Sequence, residues 1–144
     1  MKLLRIEERH LDGISKIESC CFSEPWSKKS LELLLTDGAF GVVAESDDGT
    51  VAAYGGMTYV LDEGQITNIA TLPEYRRQGL GRAVVCALID AARERGLGFL
   101  YLEVRESNEA AISLYEALGF ARTGRRRNFY KKPCEDAILM QLTL

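Results

Sequence analysis

The feature that most constrains this chain is a glycine-rich turn between a predicted strand and a predicted helix. The segment reads RRQGLGR and covers residues 76–82. Its glycines allow the backbone to approach a ligand closely, and the start of the helix offers unpaired N–H groups at the positive end of the helix dipole. Arg77 and Arg82 add charge-assisted donors. The turn predicts a pyrophosphate site, although a plain glycine turn with solvated arginines would contain the same residues.

Two well-known phosphate-binding motifs do not fit this turn. A P-loop requires Lys and then Ser or Thr after its last glycine, whereas Gly81 is followed by Arg82. A dinucleotide-binding turn requires glycine or alanine at its sixth position, which is Val84 here. Glu103, at the end of the next strand, could imitate the ribose-binding acid of such folds. The residue at position 84 decides against that interpretation.

Length and charge limit the classes of protein to which the chain can belong. Its 144 residues suffice for one domain, residues 1–144, with a true core. The net charge of −3 argues against direct binding of nucleic acid or an anionic membrane and suits a cationic substrate. The longest apolar stretch, residues 83–89, is far shorter than the ~20 residues of a membrane span. We expect a cytoplasmic protein that is a monomer or weak dimer.

The cysteines and the single histidine have no arrangement typical of a metal site. Cys20 and Cys21 are adjacent, Cys86 and Cys134 stand alone, and His10 is the only histidine. We therefore expect no metal. Catalysis by Ser-His-Asp or Cys-His groups is excluded unless His10 folds into a site. The four cysteines are interpreted as small buried hydrophobic residues in a reducing compartment.

Hydrophobic periodicity and turn residues predict a mixed α/β fold. Strands are expected at residues 3–6, 40–45, 51–59, 65–72, 99–104, 120–124 and 136–142. Helices are expected at residues 11–21, 28–35, 82–95 and 108–118, with Ser27 as the N-cap of the second helix. A helix joins strands 65–72 and 99–104, so these should be parallel neighbours with a right-handed crossover. The order describes a mixed sheet with helices on both faces.

The turn RRQGLG, after its strand, resembles the Q/R-x-x-G-x-G/A signature of the Gcn5-related N-acetyltransferase (GNAT) superfamily. The element order is also that of the family, so the similarity extends over essentially the whole chain. The resemblance implies a central mixed sheet in which two parallel strands splay apart, with the pantetheine arm of acetyl-coenzyme A between them. The residues that it implies for coenzyme binding are Ile69, Ala70, Thr71, Arg77, Gln78, Gly79, Leu80, Gly81, Arg82 and Asn108.

The segments LEVRESNEAAISLYEALGF, RRNFY and EDAILM, at residues 102–120, 126–130 and 135–140, closely resemble the RimI family of bacterial ribosomal-protein-alanine N-acetyltransferases. The resemblance implies Glu103 as general base and Tyr115 as general acid. FSEPW, residues 22–26, resembles the same pattern, whereas Pro133-Cys134 departs from it. The residues implied to flank the peptide groove are Glu24, Pro25, Trp26, Phe129 and Tyr130.

The residues alone leave other interpretations open. Glu103 is an acid in an otherwise apolar strand, and it is either a poorly solvated base or an edge glutamate in solvent. Tyr115 continues an apolar helical stripe, so it could be a core residue. Asn108 could serve only as an N-cap. Residues 24–26 could form only a helix-breaking turn, and Phe129 and Tyr130 only an aromatic pair at a strand end. Residues 125–127 could form only a solvated edge.

The expected reaction is direct acetyl transfer in a ternary complex, because no activated Cys or Ser is evident. The reference pKa values of an α-amine and a lysine, ~7.8 and ~10.4, make a free lysine amine about 3 kcal/mol more costly at neutral pH. This difference favours an α-amine over a lysine as acceptor. The resemblance to the RimI family implies that the acceptor is a protein N-terminus, namely the N-terminal alanine of a small-subunit ribosomal protein. A small amine, a lysine, or a non-catalytic coenzyme A-binding module remains as an alternative; the last would need neither Glu103 nor Tyr115.

Overall fold

Seven strands form one mixed sheet in the computed structural model, which describes all 144 residues. The strands are β1 (Lys2–Arg5), β2 (Ala39–Glu45), β3 (Val51–Val60), β4 (Glu63–Thr71), β5 (Phe99–Arg105), β6 (Ala121–Lys131) and β7 (Cys134–Thr143). The helices are α1 (Leu11–Cys21), α2 (Lys28–Leu31), α3 (Leu80–Glu94) and α4 (Glu109–Ala117), and 3-10 segments cover Glu8–His10, Glu32–Leu35 and Pro73–Tyr75. The spatial order of the strands is β1-β2-β3-β4-β5-β7-β6.

Helices cover both faces of the sheet, as the sequence predicts. The apolar side of α1, with Ile14 and Ile17, packs into one hydrophobic cluster with Tyr54 of β3. The apolar side of α3, with Val84 and Leu88, packs into a larger cluster that continues to α4. The hydrophobic stripes of the two long helices thus bury opposite faces of the same central strands, which is the layer architecture typical of an α/β domain.

The parallel strands β4 and β5 separate after three residue pairs. Their pairing covers only Glu63–Gln65 opposite Phe99–Tyr101. Thr67 is then an extra residue on β4, because Gly56 of β3 faces Asn68 while the next residue of β3 faces Ile66. Such a bulge bends its strand. Residues 66–71 of β4 and residues 102–105 of β5 consequently border a gap, which confirms the expected splayed pair.

The C-terminal hairpin is longer than the sequence predicts. The expected strands at residues 120–124 and 136–142 correspond to β6 and β7. β6 continues to Lys131, and β7 already begins at Cys134. Since β6 is an edge strand with almost every residue exposed, it lacks the alternation of apolar residues on which strand prediction depends. Residues 125–127 form a solvated edge here, and Arg125 pairs with Glu106 at 2.7 Å.

Other expectations were met only in part. Ser27 caps the second helix by accepting a hydrogen bond from the Ser30 N–H at 3.1 Å, but this helix continues as a 3-10 segment. Helix α3 begins at Leu80, two residues before its predicted start.

The prediction of four buried cysteines was wrong: Cys20 and Cys134 are exposed, and the other two are half-buried. No helix of the structure combines the length and apolarity that crossing a membrane requires.

Candidate active site

A cleft of about 850 Å³ opens where β4 leaves β5. Its walls come from the end of α1, the loop at residues 22–26, the bulged part of β4, the end of β5, α4 and the β6–β7 hairpin. Glu103 and Tyr115, the predicted base and acid, both line this cleft. The divergence of the two strands thus opens a cleft whose lining residues extend from Glu18 to Pro133 in the sequence.

Glu103 is not an edge glutamate in solvent. Its side chain is 14% exposed, and the nearest cation is Arg126, whose Nη1 lies 3.9 Å from Glu103 Oε1. That distance is at the limit of an ion pair, and the side chain of Arg126 is itself 58% exposed, so the attraction is weak. Glu103 faces the cleft with no protein hydrogen bond to its carboxyl group. The group is free to accept a proton from a molecule bound there.

Tyr115 satisfies both interpretations of its position. Its ring is buried in the larger hydrophobic cluster, 5.7 Å from the ring of Phe120. Every fully buried polar side-chain atom of the structure has a hydrogen-bond partner. The hydroxyl of Tyr115 has no protein partner, so it is not fully buried and is accessible from the cleft. Burial, with a smaller effect of Tyr130, raises the pKa of Tyr115 to about 12. The phenol therefore holds its proton at neutral pH.

An aromatic wall borders the cleft on the side of the hairpin. Phe129 and Tyr130 meet edge to face, with ring centroids 5.0 Å apart. The guanidinium of Arg105 lies 4.3 Å from the centroid of Tyr130 and donates hydrogen bonds to the carbonyl groups of Lys132 and Pro133. Arg105, which sequence reasoning missed, thus fixes the hairpin turn to the end of β5.

Four of the five residues predicted to flank the groove line the cleft. They are Glu24, Trp26, Phe129 and Tyr130. Pro25 lies in the same loop but is exposed and does not line the cleft, so its contribution is to the course of the loop. Lys132 and Arg105 also line the cleft, which makes it less acidic than the sequence suggested. Arg105 already pairs with Glu135 at 3.2 Å.

The strand that borders the gap presents alternate backbone groups to it. The N–H of Leu72 donates to the carbonyl of Ala52 on β3 at 2.8 Å. Backbone groups alternate in direction along a strand, so the N–H of Ala70, like that of Leu72, points to β3. The N–H groups of Ile69 and Thr71 therefore point to the gap. This geometry favours Ile69 and Thr71 over Ala70 for backbone bonds to the coenzyme, and contact of the coenzyme with all three residues stays a prediction. The carbonyl of Thr71 accepts from Cys21 Sγ and from Arg76 Nε, each at 3.3 Å, so that carbonyl group is already bonded within the protein.

The glycine turn has the features of a phosphate site. Gly79 has φ +78°, a left-handed conformation that favours glycine, and a Cβ added there would meet no protein atom. A Cβ at Gly81 would meet only Leu114, at 3.8 Å. Arg77 and Arg82 are exposed and form no ion pair. The start of α3 thus combines open space, unpaired N–H groups and two free cations.

The remaining predicted coenzyme residues have different environments. Gln78 is exposed in the turn, whereas the side chain of Leu80 is buried in the core, so Leu80 can offer only its backbone. Asn108 is the N-cap of α4, and its Oδ1 accepts from the N–H of Ala111 at 3.2 Å. It also lines the cleft. The cap interpretation is confirmed, and contact with a coenzyme stays a prediction.

Comparison with known proteins agrees with this geometry. A sequence model described as the acetyltransferase (GNAT) family matches residues 11–120. The chain belongs to the GNAT family. Among members of this family, it is 41% identical over 141 residues to the [ribosomal protein bS18]-alanine N-acetyltransferase of Escherichia coli strain K12, covering 96% of this chain and 95% of the relative.

Solved structures extend the comparison. The GNAT domain of this chain matches the crystal structure of the ribosomal-protein-S18-alanine N-acetyltransferase from Escherichia coli with a TM-score of 0.91 at 40% identity, over 99% of this chain and 92% of the other. It also shares its fold with a chain of the NatC complex bound to Gag peptide and CoA, with a TM-score of 0.85 at 24% identity, over 100% and 99% of the two chains. This chain therefore has the GNAT fold and is an acetyltransferase of that family.

The glycine turn makes a testable prediction. Gly79→Val should abolish most of the thermal stabilisation by acetyl-coenzyme A, because a branched side chain would occupy the open space beside the turn. Gly96→Val is the matched control, since Gly96 lies at the other end of α3 with φ +73° and an equally open surrounding. Both variants should lose roughly 1–2 kcal/mol of stability through backbone strain. Differential scanning fluorimetry with and without acetyl-coenzyme A separates the two effects.

The control should keep the full ligand-dependent shift in melting temperature. Equal shifts in both variants would mean that the turn at residues 76–82 does not hold the coenzyme.

Proposed function

We propose that this protein acetylates the α-amine of a protein N-terminus, with acetyl-coenzyme A as donor, and that its acceptor in the cytoplasm is the N-terminal alanine of a small-subunit ribosomal protein. The observation that carries the proposal is the pair formed by Glu103 and Tyr115. An unbonded carboxyl group and an unbonded phenol face one cleft beside the gap of a GNAT fold. The substrate assignment follows the relatives, whose names state that they act on ribosomal protein bS18.

The proposed donor site uses the turn and the gap. Arg77 and Arg82 supply the charge for the pyrophosphate, together with the N–H groups at the start of α3. The N–H groups of Ile69 and Thr71 point into the gap and would bond to the pantetheine arm. What acetyl-coenzyme A supplies there is a thioester with a carbonyl carbon open to attack. The chain has no need of a nucleophile of its own.

The proposed transfer assigns one proton to each catalytic residue. Glu103, directly or through a water molecule, takes a proton from the α-amine as the nitrogen–carbon bond forms at the acetyl carbonyl. The Ile69 N–H, which faces the gap, stabilises negative charge on the carbonyl oxygen. Tyr115 then donates its proton to the sulfur as the carbon–sulfur bond breaks. The products are an N-acetyl terminus and coenzyme A with a free thiol.

The walls of the cleft support a small first residue in the acceptor. The rings of Trp26, Phe129 and Tyr130 line the space beside Glu103, and their bulk limits the side chain that can enter. The carboxyl groups of Glu24 and Glu103 would attract the positive terminus. A protein N-terminus also suits a single carboxylate base, because an α-amine loses its proton more readily than a lysine.

Removing the proposed base should slow the reaction without affecting the donor. Glu103→Gln should lower kcat about a hundredfold at neutral pH, the usual scale for a general base, and the loss should shrink as pH rises. Affinity for acetyl-coenzyme A should stay the same. Glu106→Gln is the control, because Glu106 is exposed nearby and pairs with Arg125 outside the cleft. Steady-state thiol release and calorimetric binding are the measurements; wild-type kcat in Glu103→Gln would remove this residue from the mechanism.

Removing the proposed acid should leave the fold unchanged. Tyr115→Phe deletes a hydroxyl that bonds to no protein group, so stability should stay within about 0.5 kcal/mol. Turnover should fall roughly a hundredfold if the phenol protonates the leaving thiolate. Tyr101→Phe, on the exposed side of β5, is the control. Rate and melting temperature are measured on one preparation; a full rate in Tyr115→Phe would confine this residue to the core.

A peptide panel tests the acceptor. The peptides share a basic body and differ in their first residue, and an α-acetylated alanine peptide that contains lysine and free spermidine are assayed beside them. We expect the alanine peptide to react fastest, bulky first residues to react slowly, and the acetylated peptide to be inert. Faster acetylation of spermidine or of lysine would contradict the proposed acceptor while keeping the acetyltransferase activity of the family.

A further inference from the structure

A carboxyl group that the proposed chemistry does not use is buried beside the cleft. Glu18, in the last turn of α1, has no exposed surface at all. Its Oε1 accepts from the N–H of Trp26 at 2.8 Å, and its Oε2 accepts from Tyr54 Oη at 2.5 Å and from Asn68 Nδ2 at 2.9 Å. No cation forms an ion pair with it. Three neutral donors therefore surround one acidic side chain.

These donors come from three different parts of the molecule. Trp26 belongs to the loop that leads from α1 to α2 and borders the cleft. Asn68 lies directly after the bulge that opens the gap, and it also donates to Tyr54 Oη, at 2.9 Å. Tyr54 lies on β3, and burial and then the charge of Glu18 raise its pKa far above the usual range, so its hydroxyl remains a donor. Glu18 thus joins the loop to the strand at the gap.

The loop has few other attachments. The backbone N–H groups of Ser23, Glu24 and Trp26 make no bond to a backbone carbonyl, and that of Trp26 is held by Glu18 alone. The Ser23 hydroxyl bonds to the carbonyl of Lys132 across the cleft, but that turn is itself exposed. Apart from the Phe22 N–H, which ends α1 by donating to the Glu18 carbonyl at 3.0 Å, the bond to the Glu18 carboxyl group is the one polar attachment of this loop to the buried part of the protein.

Packing alone does not call for an acid at this position. Glu18 follows Ile14 and Ile17 on the buried side of α1, where apolar residues would fill the same space. A buried acid without a cation is costly, and in some proteins such a group is retained because its hydrogen bonds determine a particular arrangement. Here that arrangement is the position of Trp26 relative to the bulged strand.

We propose that Glu18 is a positioning residue for the acceptor. It holds the loop at Trp26 in a fixed position relative to β4, the strand whose Ile69 N–H faces the gap. The role rests on the proposed N-terminal acetylation, since it concerns the same cleft. Glu18 lies in the wall of the cleft but has no exposed surface, so it acts through Trp26 and Asn68. Loss of its bonds should therefore loosen acceptor binding and leave donor binding as it is.

Glu18→Gln is the sharpest substitution. An amide of the same size offers one oxygen acceptor and an NH₂ group, so at least one of the three donors would face another donor. Ile14→Val is the matched control, because Ile14 is fully buried one turn earlier on α1 and does not line the cleft. Both variants should lose stability, but only the first should disturb the loop.

Trp26 is the single tryptophan of the chain and reports on the loop directly. Glu18→Gln should raise the acrylamide quenching constant of its fluorescence about twofold, because the loop is freed from its buried anchor. The same variant should raise KM for the alanine peptide about tenfold, with Kd for acetyl-coenzyme A unchanged, as expected when a binding contact is lost. Ile14→Val should match the wild type in quenching, KM and Kd.

The results separate this inference from the proposed function. Quenching and KM in Glu18→Gln equal to those in Ile14→Val would overturn the positioning role, and so would altered quenching with an unchanged KM. If the wild type fails to acetylate the alanine peptide, the proposed acceptor is wrong. The positioning role of Glu18 is then tested by the same KM comparison with the amine of the panel that does react. Should Glu18→Gln fail to fold, Tyr54→Phe removes one of the three donors and should change quenching and KM in the same direction by a smaller factor.

Discussion

The bulge at Thr67 is where β4 parts from β5, and the geometry of the site depends on that separation. Three residue pairs hold the strands in parallel, and beyond them the two strands no longer bond to each other. β5 keeps its full pairing with β7 on the other side, so the open edge is not a frayed end. The separation exposes the N–H groups of Ile69 and Thr71 and gives Glu103 a cleft to face. In a continuous sheet, the N–H groups of Ile69 and Thr71 would bond to β5 instead.

Two buried or half-buried polar side chains hold the walls of that cleft. Glu18 fixes the loop between α1 and α2 through the N–H of Trp26. Arg105 fixes the β6–β7 turn through two carbonyl groups and the ring of Tyr130. The loop and the turn then meet through Ser23 and the carbonyl of Lys132. These bonds link irregular segments that have little regular secondary structure of their own.

Sequence reasoning predicted the parts of the fold that follow from local patterns. The glycine turn before α3 and the caps at Ser27 and Asn108 depend on residues within a few positions of one another, and the structure has them all. It failed where a partner lies far along the chain. The length of β6 depends on its pairing with β7. Glu18 carried a signal, an acid within the apolar stripe of α1, but its three donors are 8, 36 and 50 residues away.

The central claim is that the open edge of β4 and the start of α3 together hold the donor. Backbone amide shifts on titration with coenzyme A test it directly, and a chain of 16.0 kDa suits this measurement by NMR. The account predicts large shifts for the amides of Ile69 and Thr71 and for residues 79–82, with a much smaller shift for Ala70, which bonds to β3. If coenzyme A bound with these amides unmoved and the largest shifts elsewhere, the gap between β4 and β5 would not be the coenzyme site.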